Sequence, residues 1–284
     1  MNSHDVYQHI SEKMTSMSKS HKRIATYILE NMNTVPFFTV AKLAKKVGVS
    51  EATVVRFASF LGYAGYPELQ QYMQNAVKQQ LTTTERLKMS SQVYEGREQG
   101  IYEIFKDDME NLQSTMEKLD VDAFYSAVNR IKKAANIYIS ANRSATSLGV
   151  FLHYYLRIIQ GNTELVESLD NISEQLYELN DKDVVIGISF SRYSVSTINT
   201  ISFAKEQGAT TVVITDNLLS PLIQYADITL TASSQMPTFI DSFTAPLSLI
   251  NALIVHVGKE RMHEVEARLE KMENIWEQLD IFRD

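Results

Sequence analysis

From Asn136 onward the chain alternates five short β-branched segments with stretches of helical spacing, and nothing else in it constrains the architecture as tightly. The β-type segments are Asn136–Ser140, Thr163–Val166, Asp183–Ser189, Thr211–Thr215 and Ile228–Thr231. Between them lie amphipathic pieces, notably Ser144–Ile159 and Val195–Gln207, the latter closed by Gly208. Strands separated by helices of that length read as βαβ units, hence as a parallel sheet. Right-handed crossovers then place helices on both faces. The expectation is an α/β three-layer (αβα) domain with a five-stranded parallel sheet, followed by two helices at about Ser242–Val257 and Met262–Leu279.

The residues ahead of it lack that alternation and read as consecutive helices. Ile24, Ile28, Leu29 and Met32 recur at helical spacing within Ser18–Asn31 and just past it, and Val40, Leu43, Ala44 and Val47 do so within Thr39–Val47. Ser50–Leu61 is a third helix, ended by Gly62. Glu68–Leu81 is a fourth, entered through Pro67. Thr82–Gly100 is polar and weakly periodic, and two further helices are expected at Ile101–Leu119 and Val121–Lys133. Two domains follow: an all-α bundle over residues 1–78, a linker over 79–100, and the α/β domain with its flanking helices over 101–284.

Charge divides along the same line. Residues 1–78 hold nine Lys or Arg against five Asp or Glu, whereas residues 79–284 hold 18 against 29. A basic head on an acidic body points to nucleic-acid contact at one end despite the net charge of −7. The absence of cysteine removes disulfides and thiolate chemistry and fits a reducing compartment. The first residues are polar, and no apolar run approaches the ~20 residues of a membrane span. A cytoplasmic protein without membrane contact is expected.

The stretch Thr39 to Phe57 has the layout of a helix-turn-helix. Ala44 is small where two helices would cross, Gly48 permits a tight turn, and Ser50 is placed to cap the next helix. Val54, Phe57 and Leu61 fall on one side of that helix, and Ala52, Val55, Arg56 and Ser59 on the other. Recognition helices put side chains from their N-terminal half on base edges. Arg56 suits guanine, and Ala52 and Val55 suit thymine methyls. Lys42, Lys45 and Lys46 share a face of the preceding helix and suit phosphates. Ser50, Glu51 and Thr53 at the start of the recognition helix complete the expected DNA-binding set. The same residues could also make a plain helical bundle with a solvated lysine face.

The segment resembles the N-terminal domain of RpiR-type regulators. The likeness covers about Ser18 to Met73 and rests on Tyr27–Asn31, Ser50–Phe57, Leu61–Gly62–Tyr63 and Gly65–Leu69. The α/β half, from about Asn136 to Thr231 and more loosely to Gly258, resembles a sugar isomerase (SIS) domain, the usual partner of that motif. Asp183–Ser191, Ala204–Gly208, Thr215–Asp216, Ser220–Pro221 and Ala226–Asp227 carry this second likeness. The resemblance implies a transcription regulator of carbohydrate metabolism, working as a homodimer or homotetramer on double-stranded operator DNA and sensing a sugar phosphate or similar anion.

Open parallel sheets bind ligands beyond the carboxyl ends of their strands. There Ser189, Ser191 and Ser194 follow the third strand, and Asn142, Arg143 and Ser144 follow the first. Hydroxyls and free N–H groups at two helix starts can cradle an anion; serines at such places can also be caps alone. By resemblance, Ser144 matches the serine ending the family's first glycine-containing loop, and Ser189, Ser191 and Ser194 match its Ser-x-Ser-Gly-x-Thr hydroxyls. Two departures stand out. Ser140–Ala141–Asn142–Arg143–Ser144 lacks the glycines of the first loop, and Arg192 stands where the second has glycine. Both introduce arginine, which either grips a different anion or blocks the pocket.

No cofactor, metal site or catalytic residue is expected. The histidines lack ligand spacing, and an isomerase reading finds only Glu164, Glu174 and Glu178 as undistinguished candidate bases. A dimerising regulator that needs no ligand is the third reading. The apolar residues Val265, Leu269, Met272, Trp276 and Leu279 form either an assembly surface or a face packed on the chain's own sheet.

Overall fold

The computed structural model describes residues 5–78, 82–166 and 176–282, which divide into two compact units. The first comprises residues up to 105 together with 236–240; the second comprises 106–235 and 241 onward.

Among the described residues, the α-helices that build the first unit are α1 (Asp5–Lys13), α2 (Lys19–Glu30), α3 (Val40–Val47), α4 (Glu51–Phe60), α5 (Tyr66–Lys78) and α6 (Thr83–Val93). Its core gathers Ile24 and Ile28 from α2, Leu43, Ala44 and Val47 from α3, Val54, Phe57 and Ala58 from α4, and Leu69 and Met73 from α5. The helical spacing groups Ile24, Ile28, Leu43, Ala44, Val47, Val54 and Phe57 in this way; Ala58, Leu69 and Met73 join them, whereas Met32, grouped with Ile24 and Ile28, is exposed. Two helices are additions. In α1, Val6 and Ile10 lie one turn apart and are buried in the same core. The other, α6, corrects the linker expected over 79–100. Thr82 caps it by accepting from the Glu85 N–H at 3.3 Å while the Glu85 carboxylate accepts from the Thr82 N–H at 2.8 Å. Met89 and Val93 then join the core, so this polar stretch is anchored by two side chains.

Helix α7 (Gln99–Glu117) carries the boundary between the units, which falls after Phe105. The second unit continues with α8 (Val121–Lys133), β1 (Ile137–Ala141), α9 (Thr146–Ile159), β2 (Thr163–Val166), β3 (Val184–Ile188), α10 (Val195–Glu206), β4 (Thr210–Thr215), β5 (Ile228–Thr231), α11 (Thr244–Lys259) and α12 (Met262–Gln278). All five strands are parallel, in the order β2-β1-β3-β4-β5.

Alternation along the strands separates two layers of core. Ile137, Ile139, Val184, Ile186, Val212 and Ile214 face α8, α9 and α11, whereas Tyr138, Val185 and Val213 face α10. Gly187 lets α10 approach closely: a Cβ there would lie 2.6 Å from Ile201 Cγ1. On α12, Val265 packs partly on the unit's own core, but Leu269 and Leu279 are exposed. Among the described residues no helix is long and apolar enough to cross a membrane.

The strand order sets which loops part from one another. After β1 the chain crosses to β2 on one side, and it then returns to β3 on the other. The loops leaving β1 and β3 therefore start their crossovers in opposite directions, which makes this the topological switch point, the place where open α/β sheets bind ligands. At the opposite, amino-terminal end, Asp183 is buried and accepts from Asn136 N and Nδ2 at 3.1 and 3.0 Å and from Asn180 N and Nδ2 at 3.1 and 2.9 Å. That carboxylate is fully engaged in joining strands, which makes it structural.

Candidate functional site

In the first unit, local capping builds the motif from Thr39 to Phe57. Thr39 accepts from the Lys42 N–H and caps α3. Gly48 adopts φ 71°, the left-handed conformation that ends α3, with its N–H on the Ala44 carbonyl at 2.8 Å. Ser50 then caps α4 by accepting from the Thr53 N–H at 3.3 Å. The turn is further held by Arg23, whose guanidinium donates to the Val47 carbonyl.

This geometry sorts the residues of α4. Val54, Phe57 and Ala58 are buried; Glu51, Ala52, Val55, Arg56 and Ser59 are exposed, Val55 by 42% despite its apolar side chain. Thr53 is half-buried, and its hydroxyl lies 2.8 Å from that of Ser50. Arg56 runs along the helix, its Nε donating to Ala52 O at 3.2 Å. His21 of α2 packs edge-on against Phe57, with ring centroids 5.6 Å apart, and near Phe60 at 5.4 Å. Partial burial there, with the Arg56 charge nearby, holds its imidazole below the ordinary histidine range.

The lysines of α3 differ from one another. Lys45 is exposed. Lys46 pairs with Glu95 at 3.2 Å. Lys42 is half-buried, lies 5.0 Å above the Phe38 ring, and donates to the Val93 carbonyl. Lys42, expected among the phosphate contacts, thus has its ammonium bonded to the end of α6.

In the second unit, the loops after β1 and β3 meet. The Asn142 carboxamide donates to Thr197 Oγ1 in the first turn of α10 at 3.0 Å. Ser189 Oγ accepts from the Ser194 N–H at 3.1 Å, and Ser194 Oγ caps α10 by accepting from Thr197 N at 3.4 Å. Ser189 is buried, and Ser191 and Ser194 are half-buried. Ser144 differs from expectation. It lies exposed within a 3-10 turn, Arg143–Ala145, and α9 begins two residues later without a side-chain cap. The tight turn of this glycine-poor loop displaces the helix start.

Arg143 and Arg192 both adopt left-handed backbone, φ 60° and 65°. The loops thus retain a conformation that glycine takes freely and other residues take at a cost. Both side chains are exposed.

Sequence reasoning missed three neighbours. Thr197 ties the two loops together. Tyr193 donates to Asp216 Oδ1 at 2.8 Å and accepts from Asn217 Nδ2 at 3.2 Å. Burial, reinforced by the Asp216 charge, raises its phenol well above the ordinary tyrosine range. The pairing Thr215–Asp216 directly after β4 was the available signal. Asn111 of α7, only 2% exposed, offered none. Its Oδ1 accepts from Ser233 Oγ at 2.6 Å and Gln235 N at 2.9 Å, and its Nδ2 donates to Gln235 O at 2.7 Å, clasping the segment after β5.

Of the candidate bases, Glu164 pairs with Tyr138 in the amino-terminal half of the strands, and Glu178 precedes β3. Both are exposed and remote from the carboxyl ends; Glu174 lies outside the described residues.

Comparison with known proteins agrees with this arrangement. Residues 4–80 match the helix-turn-helix domain of the rpiR family, and residues 130–256 match the SIS domain. An HTH-type transcriptional regulator of Haemophilus influenzae is 29% identical over 227 residues, 80% of this chain and 79% of its own length. Another from Caldanaerobacter subterraneus is 29% identical over 282 residues, 95% of this chain and 96% of its own. The sugar isomerase domain of an RpiR transcription factor from Sphaerobacter thermophilus superposes with a TM-score of 0.59 at 25% identity, covering 61% of this chain and 97% of that one. The Vibrio vulnificus NanR protein, complexed with ManNAc-6P, shares the fold over 96% of this chain and 98% of its own, with a TM-score of 0.57 and 21% identity. With an rpiR-type helix-turn-helix joined to a SIS domain, and relatives of matching length that are transcriptional regulators, the chain belongs to the RpiR family of transcriptional regulators.

Proposed function

We propose that this regulator binds double-stranded operator DNA through the exposed face of α4, and that the crevice beyond β1 and β3 holds a phosphorylated sugar or a related anion. The sorting of α4 carries the first part. A helix whose inward face is fully buried presents Ala52, Val55, Arg56 and Ser59 together to solvent, directly after a capped tight turn. In this reading Arg56 reads a base edge, Ala52 and Val55 touch methyl groups, and Ser50, Glu51 and Thr53 lie at the groove entrance. Lys45 and Lys46 contact phosphates.

Support for the second part is the joining of two loops by Asn142 and Thr197 at the switch point, with Ser189, Ser191 and Ser194 beside the start of α10. Helix starts favour anions, and the phosphosugar held by the NanR protein is a ligand of that class. Arg143 and Arg192 add charge at the rim, and Ser144 adds a hydroxyl. The remoteness of Glu164 and Glu178 favours sensing over isomerisation. A ligand that prefers one arrangement of the regulator shifts DNA affinity by that preference alone.

The decisive experiment selects duplexes from a random pool with the purified chain and repeats the selection with Arg56→Ala. The wild type should enrich a two-half-site sequence. The variant should bind it with about 1–3 kcal/mol less discrimination at one base pair per half-site. No enrichment by the wild type, across low-salt conditions and with sugar phosphates or acidic sugars added, would remove the DNA-binding reading. Absence of a thermal shift with every such anion would remove the sensing part.

A further inference from the structure

A second basic surface beside the turn of the motif lies on α2. Lys19, Lys22 and Arg23 of α2 and Lys46 of α3 line one open groove of about 630 Å3, together with Met17, Thr26, Tyr27 and Val47; Glu30 is its single acid. Lys19 and Lys22 are three residues apart, so they share a helix face. Both are exposed, and neither has a carboxylate partner among the described residues.

Position gives this patch its meaning. One wall is Val47, the last residue of α3, immediately before Gly48 and the Ser50 cap of α4. Arg23 donates to the Val47 carbonyl, and a Cβ on Gly48 would lie 3.0 Å from its Nη2, so the groove is fastened to the turn that launches the recognition helix. A duplex that admits α4 into its major groove must carry its sugar-phosphate backbone past the start of that helix. Cations beside the turn meet that backbone, whereas Lys42 is already held by Val93 and Phe38. An open groove with four long cationic side chains suits a continuous polyanion better than an enclosed small ligand.

We infer that Lys19 and Lys22, continuing from Lys46, form a phosphate track that holds the DNA backbone flanking α4. The inference rests on the DNA-binding reading and adds contacts outside the motif itself. Each neutralised phosphate contributes about 0.9 to the slope of log affinity against log salt. Lys19→Gln/Lys22→Gln should therefore flatten that slope by about 1.8 per half-site, about 3.6 on the selected two-half-site duplex. It should weaken selected and unrelated duplexes in equal proportion and leave the preferred sequence intact. Lys259→Gln/Lys271→Gln removes the same charge from exposed positions of the second unit and should leave the slope unchanged.

Thermal midpoints and circular dichroism matching the wild type establish that the α2 variant is folded; should it unfold, the single variants Lys19→Gln and Lys22→Gln, each expected to flatten the slope by about 0.9 per half-site, replace it. A folded variant with the wild-type slope overturns the track. So does an equal flattening by the control pair, or a changed base preference. A wild type that binds no duplex overturns the DNA-binding reading itself, which is a separate result.

Discussion

On α4 the polar groups facing solvent take partners from their own helix: Arg56 donates to Ala52 O, and Ser59 Oγ donates to Val55 O at 3.3 Å. At the carboxyl ends of β1 and β3 the partners are distant in sequence, Asn142 with Thr197 and Tyr193 with Asp216. The difference decides how far function can be separated from folding. A helix face that projects from a finished core can be altered residue by residue while the core stays intact. Where loops hold one another in place, the atoms available to a ligand are the same atoms that hold the loops, and each substitution changes both.

The largest effect that can break this contrast lies inside α4. Phe57 is fully buried next to Arg56, so Phe57→Ala should cost about 3–5 kcal/mol. DNA binding should then disappear together with the thermal transition of the first unit. Arg56→Ala should change stability by no more than about 0.5 kcal/mol while altering sequence preference. Calorimetry beside the duplex assay checks the pair; a stable Phe57→Ala, or an Arg56→Ala that melts early, would show that the two faces of α4 are not independent.

A smaller effect is expected from Thr197→Val. The shape is kept, but Asn142 loses its acceptor and the first-turn hydroxyl of α10 is gone. Asn142 is only half-buried and water can replace part of the bond, so the cost should be about 1 kcal/mol. The thermal shift produced by a bound sugar phosphate should fall in the same variant. Loss of one property without the other would mean that the loops are not one structural and binding unit.

The same contrast explains what could be read in the sequence. Everything needed to phase α4 lies within a dozen residues at helical spacing, so Val54 and Phe57 could be assigned inward and Val55 and Arg56 outward. The five strands were likewise marked by local β-branched runs. Strand order, and with it the switch point between β1 and β3, depends on pairings between segments that no local pattern records. Asn111 sits in an otherwise ordinary helix, and its partners are more than 120 residues away. Helix α6 was missed for another reason: Met89 and Val93 are too few to set a period, although Thr82 and Glu85 do spell a capping box. The bond from Lys42 to Val93 was hidden for a related reason: the lysine's helical face is outward in α3 alone, and the added α6 engages it.

The smallest effect bears on the two arginines, whose role the residue pattern left open between gripping an anion and blocking the crevice. Arg143 holds φ 60°, a conformation costing a non-glycine residue about 1–2 kcal/mol. Glycine relieves that strain but widens the unfolded ensemble by about 0.4–1 kcal/mol, so Arg143→Gly should stabilise the chain by no more than about 1.6 kcal/mol. If the guanidinium contacts the anion, the same variant should show a smaller ligand-induced thermal shift, because a weaker complex stabilises the native state less. Stability and ligand response would then move in opposite directions, an outcome that general loosening of the loop cannot produce. If both rise together, Arg143 was an obstruction, and the crevice accepts its ligand through the serines and the start of α10 alone.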